Sequence, residues 1–220
     1  MLIAAIAAFI SLAAAPAPEM ELWRLDCGKF LNHTGQWPAE IPVGCYLIRH
    51  GDSYMLWDAG LPRTLIGKPD VSEQQTLILG KSLVDQLAEI HVRPDQIKRL
   101  GVSHYHGDHT GQAADFPGAT LFIGKADYVA LTAQPKGEGM EPELIAPWIA
   151  GKAPVVQIER DMDVFGDGSV IVLTTPGHTP GHTALKVRIA DKTYLLTGDL
   201  YHFASQISDS QVSGNATDPA

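Results

Sequence analysis

The sequence predicts one domain of mixed α/β class, and three observations carry that expectation. The chain has 220 residues, close to a single domain at roughly 150 residues each. Hydrophobic residues make up 45% and charged residues 19%, a balance that supports a packed core. Strand-like and helix-like stretches alternate through the first half, strand-like stretches dominate the second, and no repeat or low-complexity tract interrupts them.

Taken in order, residues 1–15 read MLIAAIAAFISLAAA, apolar apart from Ser11. A membrane span needs about 20 apolar residues, so this run reads as the core of a signal peptide over residues 1–18. Ala13, Ala14 and Ala15 offer a cleavage site, and Pro16 and Pro18 stop a helix. A buried N-terminal helix is the other reading. Export would make residues 19–220 a periplasmic or secreted domain with no lasting membrane anchor. Cys27 and Cys45 lie in segments that read as neighbouring strands. An oxidising compartment permits a disulfide, but spacing does not fix pairing geometry, and two buried free thiols are expected.

Two apolar runs, VGCYLIRH and YMLWDAG, flank Gly51-Asp52, a hairpin signal. Leu83, Val84, Leu87 and Ile90 share one helical face, and Arg93-Pro94-Asp95 ends that helix. A strand should then run to Val102-Ser103, another over 119–123, and a short helix over 125–131. The Gly- and Pro-rich stretch 135–154 predicts a loop with about one helical turn; within it Trp148 and Met140 could line a groove, but buried packing is expected. Strands follow at 155–158, 169–174, 183–189 and 192–197. Beyond Phe203 the sequence is polar and without apolar periodicity, so no strand or helix is expected there.

Composition narrows function. Lys and Arg number 16 against 25 Asp and Glu, a formal charge of −9. With no basic block, a nucleic-acid partner is not expected, since phosphate neutralisation needs a basic face. A small-molecule substrate is. The nine histidines say more, because five of them crowd into two segments.

The first is Ser103-His104-Tyr105-His106-Gly107-Asp108-His109-Thr110. Three imidazoles and a carboxylate at a strand end pack poorly in a core and make sense when they share a cation. In extended chain His104 and His106 point the same way, and Asp108 and His109 follow as the chain turns. Such ligands suit zinc, with iron, manganese or cobalt also compatible. The second segment is Thr175-Pro176-Gly177-His178-Thr179-Pro180-Gly181-His182, whose two Pro-Gly-His units hold imidazoles on tight turns. The third, Thr197-Gly198-Asp199, puts an acid at a strand end. No Gly-x-Ser-x-Gly motif is present, so a serine nucleophile has no support.

Together these motifs resemble the metallo-β-lactamase superfamily, with its His-x-His-x-Asp-His run, later lone His and bridging Asp. The match runs from Val43 to Phe203. Within the superfamily, DCG at 26–28, LWDAG at 56–60, HYHGDHTGQ, TPGHTPGHTAL and TGDLYHF resemble the N-acyl-homoserine lactonase branch. The resemblance implies an αβ/βα sandwich with two divalent metals, zinc foremost, at one edge of the sheets. It implies that His104, His106 and His178 hold one metal, that Asp108 and His109 help hold a second, and that Asp199 bridges both. His182 would then pack behind the site. Asp58 would match an acidic residue that orients the metal loops, or simply end its strand.

Two positions depart from the branch. Its second metal has a further His well beyond the bridging Asp, whereas the only later histidine here is His202, three residues on. The sandwich is therefore expected to lack its last C-terminal elements, or the second site to be degraded. His202 also stands where many lactonases have a substrate-contacting Tyr, which makes Tyr201, one residue earlier, the candidate for that role. The implied reaction opens a lactone or related ester with hydroxide made available at neutral pH by the metals. Asp108 would carry the proton to the leaving oxygen. A β-lactam or thioester hydrolase on the same fold, or an impaired metal-binding fragment, are the alternatives.

Overall fold

Alternating side chains that are apolar on both sides let one sheet serve two cores, and the chain builds this arrangement first. The structure, a computed structural model, describes residues 18–35, 37–137 and 140–208. All of the expected signal peptide except Pro18 lies outside the described residues, as does the sequence beyond Ser208.

Strands β1 (Met20–Asn32) and β2 (Glu40–His50) pair antiparallel, and β2 turns at Gly51-Asp52 into β3 (Ser53–Trp57), the hairpin expected from sequence. Two short strands that the sequence did not announce, β4 (Asp70–Val71) and β5 (Gln75–Ile78), extend the free edge of β1. Helix α1 (Leu83–Glu89) starts at Ser82, whose side chain accepts the Asp85 N–H. It buries Leu83 and Leu87. Strand β6 (Ile97–Gly101), helix α2 (Gly107–Thr110), strand β7 (Thr120–Gly124), helices α3 (Lys125–Thr132) and α4 (Ala146–Ile149) and strand β8 (Val155–Ile158) follow. Strands β3, β6, β7 and β8 run parallel, and the eight-stranded sheet is ordered β4-β5-β1-β2-β3-β6-β7-β8.

A second, antiparallel sheet holds β9 (Met162–Asp163), β10 (Val170–Thr174), β11 (Thr183–Ile189) and β12 (Lys192–Leu196), ordered β12-β11-β10-β9. After it comes helix α5 (Ala204–Ser208). This corrects the expectation that no helix follows Phe203: a polar turn of helix leaves no apolar periodicity to read.

Period-two alternation divides the large sheet between its two faces. Leu47, Leu56, Leu100 and Leu121 point to the core shared with α1, α3 and Trp148. Their neighbours Ile48, Met55, Trp57 and Phe122 point to the second core, against Val170, Val172, Leu185 and Val187 of the small sheet. Trp148 is buried as packing, its indole N–H donating to the Ala119 carbonyl at 2.8 Å, and Met140 packs against the same core. Among the described residues no helix is long and apolar enough to cross a membrane.

The free-thiol expectation is wrong: Cys27 and Cys45 form a disulfide, with Cα atoms 5.8 Å apart. Cys45 pairs in register with Leu25, and the register shifts between Asp26 and Lys29. The β-bulge at Cys27 sets its approach to Cys45, and sequence spacing does not reveal a bulge. Replacing both cysteines by serine should lower stability by about 2–4 kcal/mol. Urea unfolding monitored by tryptophan fluorescence reads that loss.

Candidate metal centre

Every predicted site segment leaves a strand at the same end of the two sheets. Asp58 follows β3, residues 102–109 follow β6, residues 175–182 join β10 to β11, and Asp199 follows β12. His106 ends the extended run and stands as N-cap of α2, so the chain turns between His106 and His109.

Three imidazoles meet edge to edge. His104 Nε2 lies 2.9 Å from His106 Nδ1, and His178 Nε2 lies 3.1 Å and 3.0 Å from those two atoms. Each ring nitrogen either carries a proton or a lone pair, so at least one of three mutual contacts must oppose two alike. Hydrogen bonding therefore cannot account for the triangle. A shared cation can: tetrahedral coordination at 2.0–2.1 Å puts imidazole nitrogens about 3.3 Å apart. Burial pushes His104 well below the usual imidazole range, lowers His106, and takes His178 down to about 4. All three are thus neutral donors near pH 7.

Oxygens gather beside the triangle. His109 Nε2 faces Asp108 Oδ2 at 3.4 Å and Asp199 Oδ1 at 3.2 Å. The other Asp199 oxygen lies 3.5 Å from His178 Nε2 and 3.2 Å from His202 Nε2. One carboxylate thus reaches both groups of donors, as a bridging acid must. The donor atoms of His104, His106 and His178, and those of His104, His109 and Asp199, form two groups within 4.8 Å, each able to hold a cation. Burial opposes a charge on His109, but Asp108, Asp199 and Asp58 pull it well above the usual range. These oxygens demand positive charge, and the donor set fits a divalent ion.

Residues behind the donors fix their directions. Asp58 is buried and sits at φ 61°, so it does end its strand with a turn. Its carboxylate also accepts the Ser103 N–H at 2.6 Å and contacts His109 Nδ1 at 3.0 Å, which leaves His109 Nε2 for the site. Both readings of Asp58 hold together. Ser103 Oγ lies 3.1 Å from Nδ1 of both His104 and His109, a contact with no signal in the sequence. His182 Nε2 accepts the Asp199 N–H at 3.2 Å while Nδ1 meets Thr175 Oγ1 at 2.9 Å, so this imidazole orients the bridging acid from behind.

Burial holds His182 down at about 4. An unfolded imidazole protonates near 6.5, so between pH 6.5 and 4 the unfolded chain binds protons that the folded chain refuses. Stability then falls as pH drops through that window, by about 3 kcal/mol from His182 alone. His104, His106 and His178 act in the same direction. Two groups act oppositely: Asp127, which burial pushes up to about 6, and His109, which, against its burial, the surrounding carboxylates hold well above the usual range. The four depressed imidazoles outnumber them. Denaturation midpoints in chelator should therefore fall from pH 7 to pH 5.

Gly198 places Asp199. Its φ is +53°, and a Cβ there would lie 2.8 Å from Ser103 Cβ and 2.9 Å from His182 Nε2. Gly198→Ala should cost about 1–3 kcal/mol and swing Asp199 away, seen as a lowered melting temperature with reduced zinc content.

The donors His106, Asp108, His109 and Asp199 open onto a cavity of about 570 Å³, walled by Phe30, Trp37, Ile41 and Tyr46 on the β1–β2 side. Tyr201 and His202 both line it. His202 also touches the cluster through Asp199, and its ring lies 4.8 Å from that of Trp37.

This fold and donor set define an αβ/βα sandwich with a candidate metal centre at one edge, and the chain belongs to the metallo-beta-lactamase superfamily, whose model matches residues 40–220. It is 31% identical over 186 residues to the N-acyl homoserine lactonase AttM of Rhizobium radiobacter, covering 73% of this chain and 65% of that protein. It is 29% identical over 195 residues to the N-acyl homoserine lactonase AiiA of Bacillus thuringiensis subsp. kurstaki, covering 84% and 71%. The chain thus spans about 65% of the length of the AttM protein it matches. Among solved structures, an N-acyl homoserine lactone hydrolase with N-hexanoyl-L-homoserine at its catalytic metal centre shares the fold, at TM-score 0.76 and 24% identity over 93% of this chain and 84% of that one. A B. thuringiensis AiiA variant with N-decanoyl-L-homoserine bound does so at TM-score 0.77 and 23% identity, over 93% and 84%.

Proposed function

We propose that this chain is a metal-dependent hydrolase that opens the ring of N-acyl homoserine lactones, an activity that quenches signalling through those molecules. The observation that carries the reading is the triangle of His104, His106 and His178 nitrogens with Asp199 beside it. Its support from outside the chain is the lactonase activity named for AttM and AiiA.

His104, His106 and His178 would hold one divalent ion, zinc foremost, and Asp108, His109 and Asp199 a second. Bound there, such ions act as Lewis acids on a carbonyl and bring the pKa of water to about 7. The chain's own residues do the rest. Asp108 lines the cavity and is placed to accept the proton of the attacking water and deliver it to the ring oxygen as the acyl C–O bond breaks. Tyr201, also on the cavity wall, is assigned to the substrate carbonyl. The aromatic wall of Trp37, Phe30 and Tyr46 excludes water from the acyl substituent.

The zinc-loaded chain should release one proton per N-acyl homoserine lactone consumed, and turn this substrate over faster than a cephalosporin or a glutathione thioester. Turnover of either alternative without lactone opening would assign a different hydrolase. Zinc binding without turnover of any of the three would leave a metal-binding chain alone.

We also propose that the chain is exported to the periplasm or beyond. The apolar run over residues 1–15 supports this, and the buried Cys27–Cys45 disulfide suits an oxidising compartment. N-terminal sequencing of the mature protein checks it, with a start within Pro16 to Glu19 expected.

A further inference from the structure

Asp127 is a fully buried acid in the first turn of α3, and it belongs to none of the site's motifs. Its carboxylate makes three contacts, all to loops that carry imidazoles. Oδ2 accepts the N–H of Tyr105, the residue between His104 and His106, at 3.2 Å, and the hydroxyl of Thr179, next to His178, at 2.7 Å. Oδ1 accepts the N–H of Gly181, next to His182, at 2.7 Å. The loops meet α3 closely: a Cβ on Gly181 would lie 2.7 Å from Asp127 Oδ1 and closer still to the Asp127 backbone nitrogen.

We propose that Asp127 is a positioning residue that clamps the His104–His106 segment to the His178–His182 loop and so sets the triangle of donor nitrogens. The two segments lie more than seventy residues apart in the chain, and β-sheet pairing does not join them at this point. A single acceptor shared by donors from both fixes their separation through two bonds on each path. A buried carboxylate is costly unless every oxygen is satisfied, and here the donors that satisfy it are those adjacent to the metal-ligand candidates. An ordinary core position could hold an apolar side chain instead. The inference rests on the reading of the triangle as a metal centre.

The test is cobalt(II) titration of the full chain and its Asp127→Asn variant, reading affinity and visible absorption. The Asn side chain keeps the volume but turns an N–H₂ either toward Gly181 N–H or toward the Tyr105 N–H and Thr179 hydroxyl. Outer-shell partners of metal ligands are worth about 10–100-fold in affinity, so the variant should bind cobalt that much more weakly and with altered d–d bands. Thr179→Val removes one donor to the same carboxylate, should weaken binding several-fold, and should add little in the Asn background. Should the Asn variant not fold, Thr179→Val carries the test. Ser82→Ala is the control for lost stability, since Ser82 is equally buried but caps α1; it should lower the melting temperature and leave cobalt affinity intact. Unchanged affinity and spectrum in the Asp127 and Thr179 variants would overturn the clamp while leaving the metal centre standing. Equal weakening by Ser82→Ala would overturn it too, as a mere stability effect. No cobalt binding by the unsubstituted chain would remove the metal centre and the clamp with it.

Discussion

His106→Ala should abolish zinc binding at the triangle and cut lactone opening by about a thousandfold or more. A metal's stabilisation of developing charge is worth several kcal/mol, and about 4 kcal/mol is a thousandfold in rate. The substitution is clean because the backbone carries His106's structural role. Its carbonyl accepts from His109 N–H, Thr110 N–H and the Thr110 hydroxyl, and alanine keeps all three. The ring is only partly buried, so its loss leaves little cavity. The circular dichroism spectrum should therefore match the unsubstituted chain while zinc content and turnover fall together. Full activity with zinc retained would remove His106 from the site.

Asp58→Ala should produce the second large effect, through stability and metal together. The Asp58 carboxylate is the buried acceptor for Ser103 N–H and the partner of His109 Nδ1. Removing one partner of a buried charged pair costs about 3–5 kcal/mol. His109, freed to rotate, would no longer direct Nε2 toward Asp108 and Asp199, and the second cation should be lost before the first. Asp58→Asn tests the charge separately. It retains an acceptor for Ser103 N–H, so most stability should return, but an amide oxygen is a weaker acceptor for His109 Nδ1–H than a carboxylate, so the second cation should be held less tightly. Urea unfolding and zinc content of the two variants separate these parts.

The site was legible where its chemistry is local in sequence. His104, His106, Asp108 and His109 fall within six residues, so their crowding needs no tertiary information. The doubled Pro-Gly-His segment and Gly198-Asp199 are legible because tight turns need glycine and proline. The resemblance to the lactonase branch then joined the three segments; the family model bears out the superfamily, and the structure brings donor atoms of all three segments within 4.8 Å of one another in two groups. The fold was legible for the same kind of reason: β2, β3, β10 and β11 alternate or run apolar, and α1 shows its face through Leu83 and Leu87. Strands β4 and β9 are two residues each, too short for any period.

What stayed hidden depends on distant partners. Asp127 looks like any acid in a first helical turn, and only the fold brings Tyr105, Thr179 and Gly181 onto its oxygens. Ser103 is a small polar residue beside a motif until two imidazoles are seen against its hydroxyl. The disulfide was missed because a β-bulge sets its approach. His202 lies only three residues after Asp199, and sequence spacing does not reveal that the segment from Thr197 to His202 folds so that its ring touches that carboxylate on the cavity wall.

Zinc stoichiometry tests the central claim most directly, measured by mass spectrometry on the purified chain after dialysis and on its His106→Ala variant. The account predicts zinc retained by the unsubstituted chain, one ion held tightly by His104, His106 and His178 and a second held more loosely by Asp108, His109 and Asp199. The tight ion should be missing from the variant. A chain that holds no zinc, or a variant that holds as much as its parent, would contradict it.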